Sequence, residues 1–429
     1  MLDLNNENLI NQGQMNLALA ERSMSALMQL RERFRKEKTF SGVRIGMALH
    51  VTKETGVLVR TLIDGGAEVA ITSCNPLSTQ DDIVAALNKE GVKVYGYKGE
   101  SKEEYYAFLQ KIIEFKPTIT IDDGCDLVNE IHLHHPELIE NIIGGCEETT
   151  TGVIRLNAME KDHALKYPVV AVNDNNTKHL MDNYYGTGQS TLDGIIRATN
   201  VLIAAKVVVV AGYGDCGKGV ALRAKGLGAR VVVTEIRPFR ALQAKMDGFE
   251  VMPMAEAAKL GDIFITVTGD CDVIRPEHMK VMKSGAILAN SGHFDVEIDI
   301  PGLKKISSKV TRMRPFLDEY LLQPISTSKV GATSGQPQRS IYVVGEGRLV
   351  NLAAAEGHPS EVMSMSFCGQ ALATEFLLKN KGKLEPRVYQ LPEEIDEEIA
   401  QLQLDSMQVK IDELNAKQKK YLESWQEGT

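Results

Sequence analysis

Residues 206–219 read KVVVVAGYGDCGKG, and this segment restricts the possible architecture more than any other part of the chain. An apolar strand runs directly into Gly212-x-Gly214-x-x-Gly217, and a helical pattern follows. Gly212 permits the tight turn, Gly214 lets backbone approach a pyrophosphate, and Gly217 lets the helix pack close to the strand. Asp215 immediately precedes the helix, whose N-terminus offers free N–H groups and a positive dipole end to the phosphates. The next strand, Arg230–Thr234, leads into Glu235, roughly 20 residues downstream, where a carboxylate accepts from ribose hydroxyls and repels a 2′-phosphate. The pattern predicts a Rossmann unit that takes NAD rather than NADP, with Arg237 and Arg240 as nearby cations that oppose this preference.

Strand–helix alternation continues on both sides of this motif. Upstream, strands are expected at 43–48, 67–72, 92–96, 118–122 and 169–172, with helices at 53–64, 80–90, 103–115 and 190–204. Downstream, strands at 206–211, 230–235, 262–266 and 286–290 alternate with helices at 216–227 and 239–246. Both series imply parallel sheets covered on two faces. Residues 15–37 read as one amphipathic helix, 323–340 as an exposed loop or hairpin tip, and the stretch from Leu391 as a helical arm ending near the lone Trp425.

The chain carries 48 Lys and Arg against 57 Asp and Glu, and its net charge of −9 is spread without a basic stripe. That excludes nucleic acid and an anionic membrane as expected partners. The cysteines at 74, 125, 146, 216, 271 and 368 lie far apart and read as reduced thiols. The longest apolar stretch, Val201–Ala211, is broken by Lys206, and the polar start resembles no leader, so a cytoplasmic location is expected.

Polar clusters fall where strands should end: HVTKE at 50–54, NPLSTQ at 75–80, DDGCD at 122–126 and EETTTG at 147–152. Further ones are Asn173-Asp174 with Lys178, Asp182-Asn183, NSGHFD at 290–295 and Gly357-His358-Pro359. Ligands in open α/β sheets bind beyond the carboxyl ends of strands, although any one such cluster also serves as a helix cap or turn. His132, His134 and His135 lack a complete ligand set and read as solvated surface, so no metal is expected. Ser291 lacks the G-x-S-x-G elbow of serine hydrolases.

In order along the chain, HVTKET, NPLSTQDD, DDGCD, EETTTG, NDNNTKHLMDN, GYGDCGKG, SGHFDVEID, EGRLVNLAAAEGHP and VKIDELNAKQKKYL resemble the S-adenosylhomocysteine hydrolase family across roughly residues 15–425. The short end after Trp425 is similar to archaeal and thermophilic members. The resemblance implies two doubly wound α/β domains: a substrate domain of residues 1–188 and 357–390, an inserted NAD-binding Rossmann domain of 189–356, and a C-terminal arm of 391–429. It also implies a cleft that closes on substrate and a homotetramer.

The implied chemistry is reversible conversion of S-adenosylhomocysteine to adenosine and homocysteine. The ribose is oxidised at C3′ with tightly held NAD, the C4′ proton is removed, the 5′ thiolate leaves, water adds and the ketone is reduced. Carried over by position, Lys178 and Asp182 handle the 3′-hydroxyl proton, which requires burial to lower the lysine's pKa. Glu148 grips ribose hydroxyls, Asp123 and His50 act near C4′ and C5′, and His293 lies on the 5′ side. Thr149, Thr150, Thr151, Asn183 and Asn351 join Glu235 and Arg240 as cofactor neighbours, while Thr52, Glu54, Gln80, His358 and Met363 bind substrate, chiefly its base.

A carboxylate at Glu54 accepts from an exocyclic amino group and opposes a carbonyl, so adenosyl rather than inosyl substrate is expected, with S-inosylhomocysteine hydrolysis the alternative. A silent NAD-sensing paralogue would lose His50, Asp123, Lys178 or His293, and all four are present. A 2-hydroxyacid dehydrogenase would need an Arg-Glu-His set that is not evident. The chain departs from the family pattern at Thr187, where many members carry cysteine, at Arg240, and at Cys125 and Gly369. It also lacks the Lys and Tyr tail that in many relatives reaches a neighbour's NAD, so the expectation is either a weaker grip on the cofactor or a contact from Lys410, Lys419 or Tyr421.

Overall fold

Short β-branched runs that end in Gly, Asp, Asn or Glu set the strands, and amphipathic stretches between them set the helices. In the computed structural model, which describes residues 4–324 and 338–426, these elements form two sheets. The first contains β1 (Arg44–Ala48), β2 (Glu68–Thr72), β3 (Lys93–Tyr95), β4 (Ile119–Asp122), β5 (Gly144–Glu147) and β6 (Val169–Ala171). The second contains β7 (Val207–Ala211), β8 (Arg230–Thr234), β9 (Glu250–Val251), β10 (Ile263–Thr266), β11 (Ala286–Asn290), β12 (Ser307–Arg314), β13 (Leu317–Leu322) and β14 (Ser340–Val344). The chain then returns to the first sheet with β15 (Val388–Tyr389).

The first sheet is wholly parallel in the order β15-β6-β5-β4-β1-β2-β3. The second has the order β12-β13-β14-β11-β10-β7-β8-β9, and only the β12-β13-β14 edge is antiparallel. Each sheet reverses direction of build beside its first strand, β1 or β7, which is where a doubly wound sheet opens a crevice for ligand. Apolar layers cover both faces of each sheet.

Several expectations need correction. Residues 15–37 are not one helix: Glu7–Ser23 and Ser25–Glu37 meet at Met24, whose backbone leaves helical geometry (ψ 48°) while its side chain is fully buried. The expected helix at 190–204 begins at Thr187 and stops at Asn200, whose φ of 54° is left-handed. The arm does not begin at Leu391, because Leu391 and Ile399 are buried in the first sheet's core and Glu393–Ser406 packs there as a helix. Only beyond that helix does the chain lie fully exposed, with Trp425 at 91 %. β13 and β14 flank the expected 323–340 loop, of which residues 325–337 lie outside the described residues. No helix among the described residues is long and apolar enough to cross a membrane.

Helix Thr187–Thr199 and the cofactor-side helix Asp215–Gly226 cross at bare backbone. A Cβ at Gly219 would stand 1.9 Å from Tyr184 O, and one at Gly188 would stand 2.7 Å from the Gly219 carbonyl carbon. Neither obstacle is a flexible side chain, so the helices must separate to admit a methyl group. Gly219→Ala is expected to lower the free energy of unfolding by about 1–3 kcal/mol, measured by denaturant titration with NAD absent and present.

Candidate active site

The carboxyl ends of the two sheets converge on one cavity. The first sheet contributes His50, Thr52 and Glu54 after β1, Asp123 after β4, Glu148, Thr149, Thr150 and Thr151 after β5, and Lys178, Asp182 and Asn183 after β6. The inserted domain contributes Gly214 and Asp215 after β7, Arg240, His293 after β11 and Asn351, and the return segment adds His358 and Met363. Contact across the cleft is close: a Cβ on Gly124, which has φ +107°, would stand 2.5 Å from His293 Nε2.

Four expected site residues lie off the cavity wall. Gly212 and Gly217 act underneath it, where a Cβ on Gly217 would meet Gly212 O at 2.1 Å. Glu235 accepts from Tyr213 N–H on Oε2 (2.8 Å) and from Ile236 and Arg237 N–H on Oε1 (2.7 and 2.9 Å). A carboxylate offers about four acceptor positions, so one remains for a ribose hydroxyl. Together with bare backbone at Gly214, which faces only the Arg240 guanidinium at 3.4 Å, these residues fit a dinucleotide.

Gln80 corrects the reading more sharply. Its Oε1 accepts from Lys53 N–H (2.9 Å) and its Nε2 donates to Glu356 O (3.3 Å), so the amide ties the substrate domain to the end of the inserted domain instead of lining the cavity. Lys53 reinforces the same junction, with its ammonium 3.2 Å from both Glu54 and Glu356.

Lys178 is only 4 % exposed, and its ammonium lies 3.1 Å from Asp182, 3.6 Å from Glu148 and 2.8 Å from Asn183 Oδ1. Burial opposes the charge, but Asp182 and Glu148 outweigh it and hold the lysine above its ordinary range. The expected lowering of its pKa by burial is therefore corrected. Asp182 is buried too, yet His358 and Lys178 hold it below the usual carboxylate range. His358 Nδ1 pairs with Asp182, and its Nε2 lies 3.3 Å from Thr187 Oγ1. Both ring nitrogens of His358 are thus engaged beside the Lys178 cluster.

Glu148 is gripped by the Ser366 hydroxyl and by Gln370 Nε2 at 2.5 Å, and burial pushes its carboxyl up. Asp123 sits between two imidazoles, His50 Nε2 at 3.4 Å and His293 Nδ1 at 3.5 Å. Burial holds His50 down to about 4, against the pull of Asp123, so its ring is neutral near pH 7.

The acidic doublets divide their labour. Asp122 and Glu147 pair in register at the ends of β4 and β5 and face inward, both 0 % exposed. Asp122 accepts from Asp123 and Val128 N–H (both 2.9 Å), and Glu147 accepts from Gly124 (2.9 Å) and Thr149 N–H (3.0 Å). The first residue of each doublet anchors the loop, and the second, Asp123 or Glu148, faces the cavity. Burial raises both inner carboxyls, Asp122 to about 7.

Sequence reasoning missed Val267, Thr268 and Gly269 after β10, and Cys216, Ser291 and Phe367, all on the cavity wall. The buried Glu297 holds the Thr268 loop by accepting from Thr268 N–H and Oγ1 and from Gly269 N–H (2.9, 2.7 and 2.9 Å). Its place in the HFDVEID motif was the available signal. His132 also differs from the surface reading: its Nδ1 lies 2.7 Å from Val128 O and its Nε2 accepts from Lys166 N–H at 3.0 Å, which makes it a structural link.

Comparison with known proteins gives this geometry a family. Residues 183–357 match the model of the S-adenosyl-L-homocysteine hydrolase NAD-binding domain, and residues 2–137 match that of S-adenosyl-L-homocysteine hydrolase. The chain is 58 % identical over 429 residues to the S-inosyl-L-homocysteine hydrolase of Methanocaldococcus jannaschii, with 100 % of both chains covered. It is 56 % identical over 422 residues to the adenosylhomocysteinase of Saccharolobus solfataricus, covering 98 % of each. Identity to the adenosylhomocysteinase of Aquifex aeolicus is 54 % over 428 residues, covering 100 % of this chain and 99 % of that one. An NAD-binding domain inserted into a second α/β domain, with one cavity shared between them, thus places the chain in the S-adenosyl-L-homocysteine hydrolase family.

Proposed function

We propose that this enzyme reversibly converts S-adenosyl-L-homocysteine to adenosine and L-homocysteine, with NAD retained throughout. The observation that carries this reading is the meeting of a dinucleotide cradle with the Glu148–Lys178–Asp182 and His50–Asp123–His293 clusters in one cavity. Bound NAD supplies reversible hydride acceptance from a carbinol carbon, which activates a sugar otherwise inert to elimination.

The protein's own groups do the rest. Glu148, fixed by Ser366 and Gln370, accepts from a ribose hydroxyl, takes the 3′-hydroxyl proton as the carbinol is oxidised and returns it on reduction, while the Lys178 ammonium donates to the 3′ oxygen as negative charge develops. Asp123 takes the C4′ proton, and the flanking His50 and His293 carry protons at the 5′ position where sulfur leaves and water enters. The close seat of His293 on Gly124 supports a closed cleft that excludes water from the keto intermediate.

For the base, Ser360 Oγ donates to Glu54 Oε1 at 2.6 Å and Lys53 stands at that same oxygen. Among the described residues no hydrogen bond reaches Oε2, which serves an exocyclic amino group. The second reading, an inosyl substrate, draws support from the Lys53 cation beside Glu54 and from the Methanocaldococcus relative's name. Exposed apolar side chains at Ile236 (89 %), Phe239 (77 %) and Leu422 (68 %) support assembly as a homotetramer, and six unpaired cysteines suit the cytoplasm.

Purified protein is expected to release NAD on denaturation and to form S-adenosylhomocysteine from adenosine and homocysteine without net NADH accumulation. Stoichiometric NADH release would overturn the reading. Glu54→Gln should lower kcat/KM for adenosine about tenfold or more while that for inosine holds or rises, because a carboxylate acceptor becomes a mixed amide. Comparable wild-type turnover of both nucleosides would remove the base assignment. For His50 the folded ring binds a proton only near pH 4, whereas the unfolded ring does so near 6.5. Its contribution is therefore complete above pH 6.5 and lost as pH falls towards 4. His50→Gln should flatten the acid limb of the stability profile by at most about 3 kcal/mol in urea titrations across that window.

A further inference from the structure

Lys178 ends a helix of only three residues, Asn176–Lys178, which passes directly into the π-helix His179–Gly186 that carries Asp182 and Asn183. The first N–H groups of such a segment have no partner within it. The residue that precedes it, Asn175, makes no side-chain cap bond. The cap comes from the distant helix Glu393–Ser406. Asp396 Oδ2 accepts Asn176 N–H at 2.6 Å, and Oδ1 accepts Thr177 N–H at 3.2 Å together with the Thr177 hydroxyl.

This carboxylate is 8 % exposed, and its helix also buries Ile399 in the first sheet's core. All three donors lie within two residues of Lys178. Removing the carboxylate frees both backbone amides and the hydroxyl at once, and the turn loses what fixes its path.

We propose that Asp396 is a positioning residue for Lys178, setting where the ammonium stands against Asp182, Glu148 and the ribose. The inference rests on the reading that Lys178 serves the 3′ position. Displacing a reacting group by about 1 Å costs roughly a hundredfold in rate, so a slackened turn is expected to appear in kcat. Substrate binding elsewhere in the cavity, at Glu54 and Thr52, involves none of these atoms and should leave KM little changed.

The test uses NAD-loaded holoenzyme of the wild type, Asp396→Asn, Asp396→Ala and, as a control in the same helix, Ile399→Ala. Measured for each are NAD content, thermal midpoint, kcat, KM for adenosine, and the rate at which reduced-nicotinamide absorbance rises when adenosine is added alone. Asp396→Ala is expected to lose roughly ten- to a hundredfold in kcat and in that rate, with KM within about threefold of wild type. Asp396→Asn, which keeps the shape and one acceptor, should fall between, and it carries the same test should the alanine variant not fold. Ile399→Ala should lower the midpoint while kcat per NAD-loaded subunit stays within about twofold. Wild-type rates in both Asp396 variants would overturn the proposal, as would an equal kcat loss in Ile399→Ala at a matched thermal shift. An absent absorbance rise in the wild type would instead defeat the reading of Lys178, and the inference with it.

Discussion

A buried ammonium with no escape to water governs how this molecule must be assembled. Lys178 is tolerable inside the protein only while Asp182 and Glu148 stand beside it and Asn183 accepts from it. Taking away one partner of such a buried pair costs several kcal/mol, because the remaining charge is left uncompensated. The partners come from distant stretches of chain. Glu148 follows β5, Lys178 and Asp182 follow β6, and Ser366 and Gln370, which hold Glu148, belong to helix Ser360–Lys379. That helix forms only after the chain has left the first domain, built the second and returned. The charge cluster is therefore satisfied only when the insertion is complete, and the chemistry depends on a topology that looks at first like a detour.

The same constraint explains why the two sheets oppose their carboxyl ends so closely. The carboxyl ends of both sheets line one cavity, and His293 from the second sheet sits on the bare backbone of Gly124 from the first. Lys98 adds to the seal by donating to Leu352 O and Ala353 O at 3.2 and 3.1 Å. With Lys178, Asp182, Glu148 and Asp123 all buried, their ion pairs act at lower effective dielectric than they would on the surface. The substrate-domain residues that clamp the end of the inserted domain, Lys53, Gln80 and Lys98, are thus part of the electrostatics of a site whose wall they do not form.

What was legible in the sequence follows physical rules of different reach. The glycine turn after β7 and the alternating elements were readable because strand-to-helix turns are local. β5 was missed because GGCE reads as a turn, whereas Gly144 is glycine so that Leu377 and Pro168 O can pack within 2.9 Å of where a Cβ would stand. Residues on the cavity wall were found through motif order. Gln80 sits in such a motif yet spends its amide on Lys53 and Glu356, because proximity in sequence to a site does not fix which way a side chain is used. Asp122 and Glu147 show the limit clearly: within each buried doublet, the anchor is the carboxylate that accepts from loop N–H groups and its neighbour faces the cavity, a difference set by loop geometry that no short-range pattern reveals.

The division of protons inside the Lys178 cluster follows from the same burial. Asp182 and Glu148 are both buried and share one ammonium, yet they are driven in opposite directions. For Glu148 the loss of water dominates and raises its carboxyl, while for Asp182 the added His358 contact overcomes that loss and keeps it ionised. Lys178, in turn, is held above its ordinary range by both carboxylates and is no base at rest. Where two acids of one site are pushed apart in this way, the raised one is the better place for a proton to rest and the lowered one the better fixed charge. Asp182 then stands as the fixed charge beside the Lys178 ammonium, and Glu148 is the carboxyl of this cluster more disposed to hold a proton.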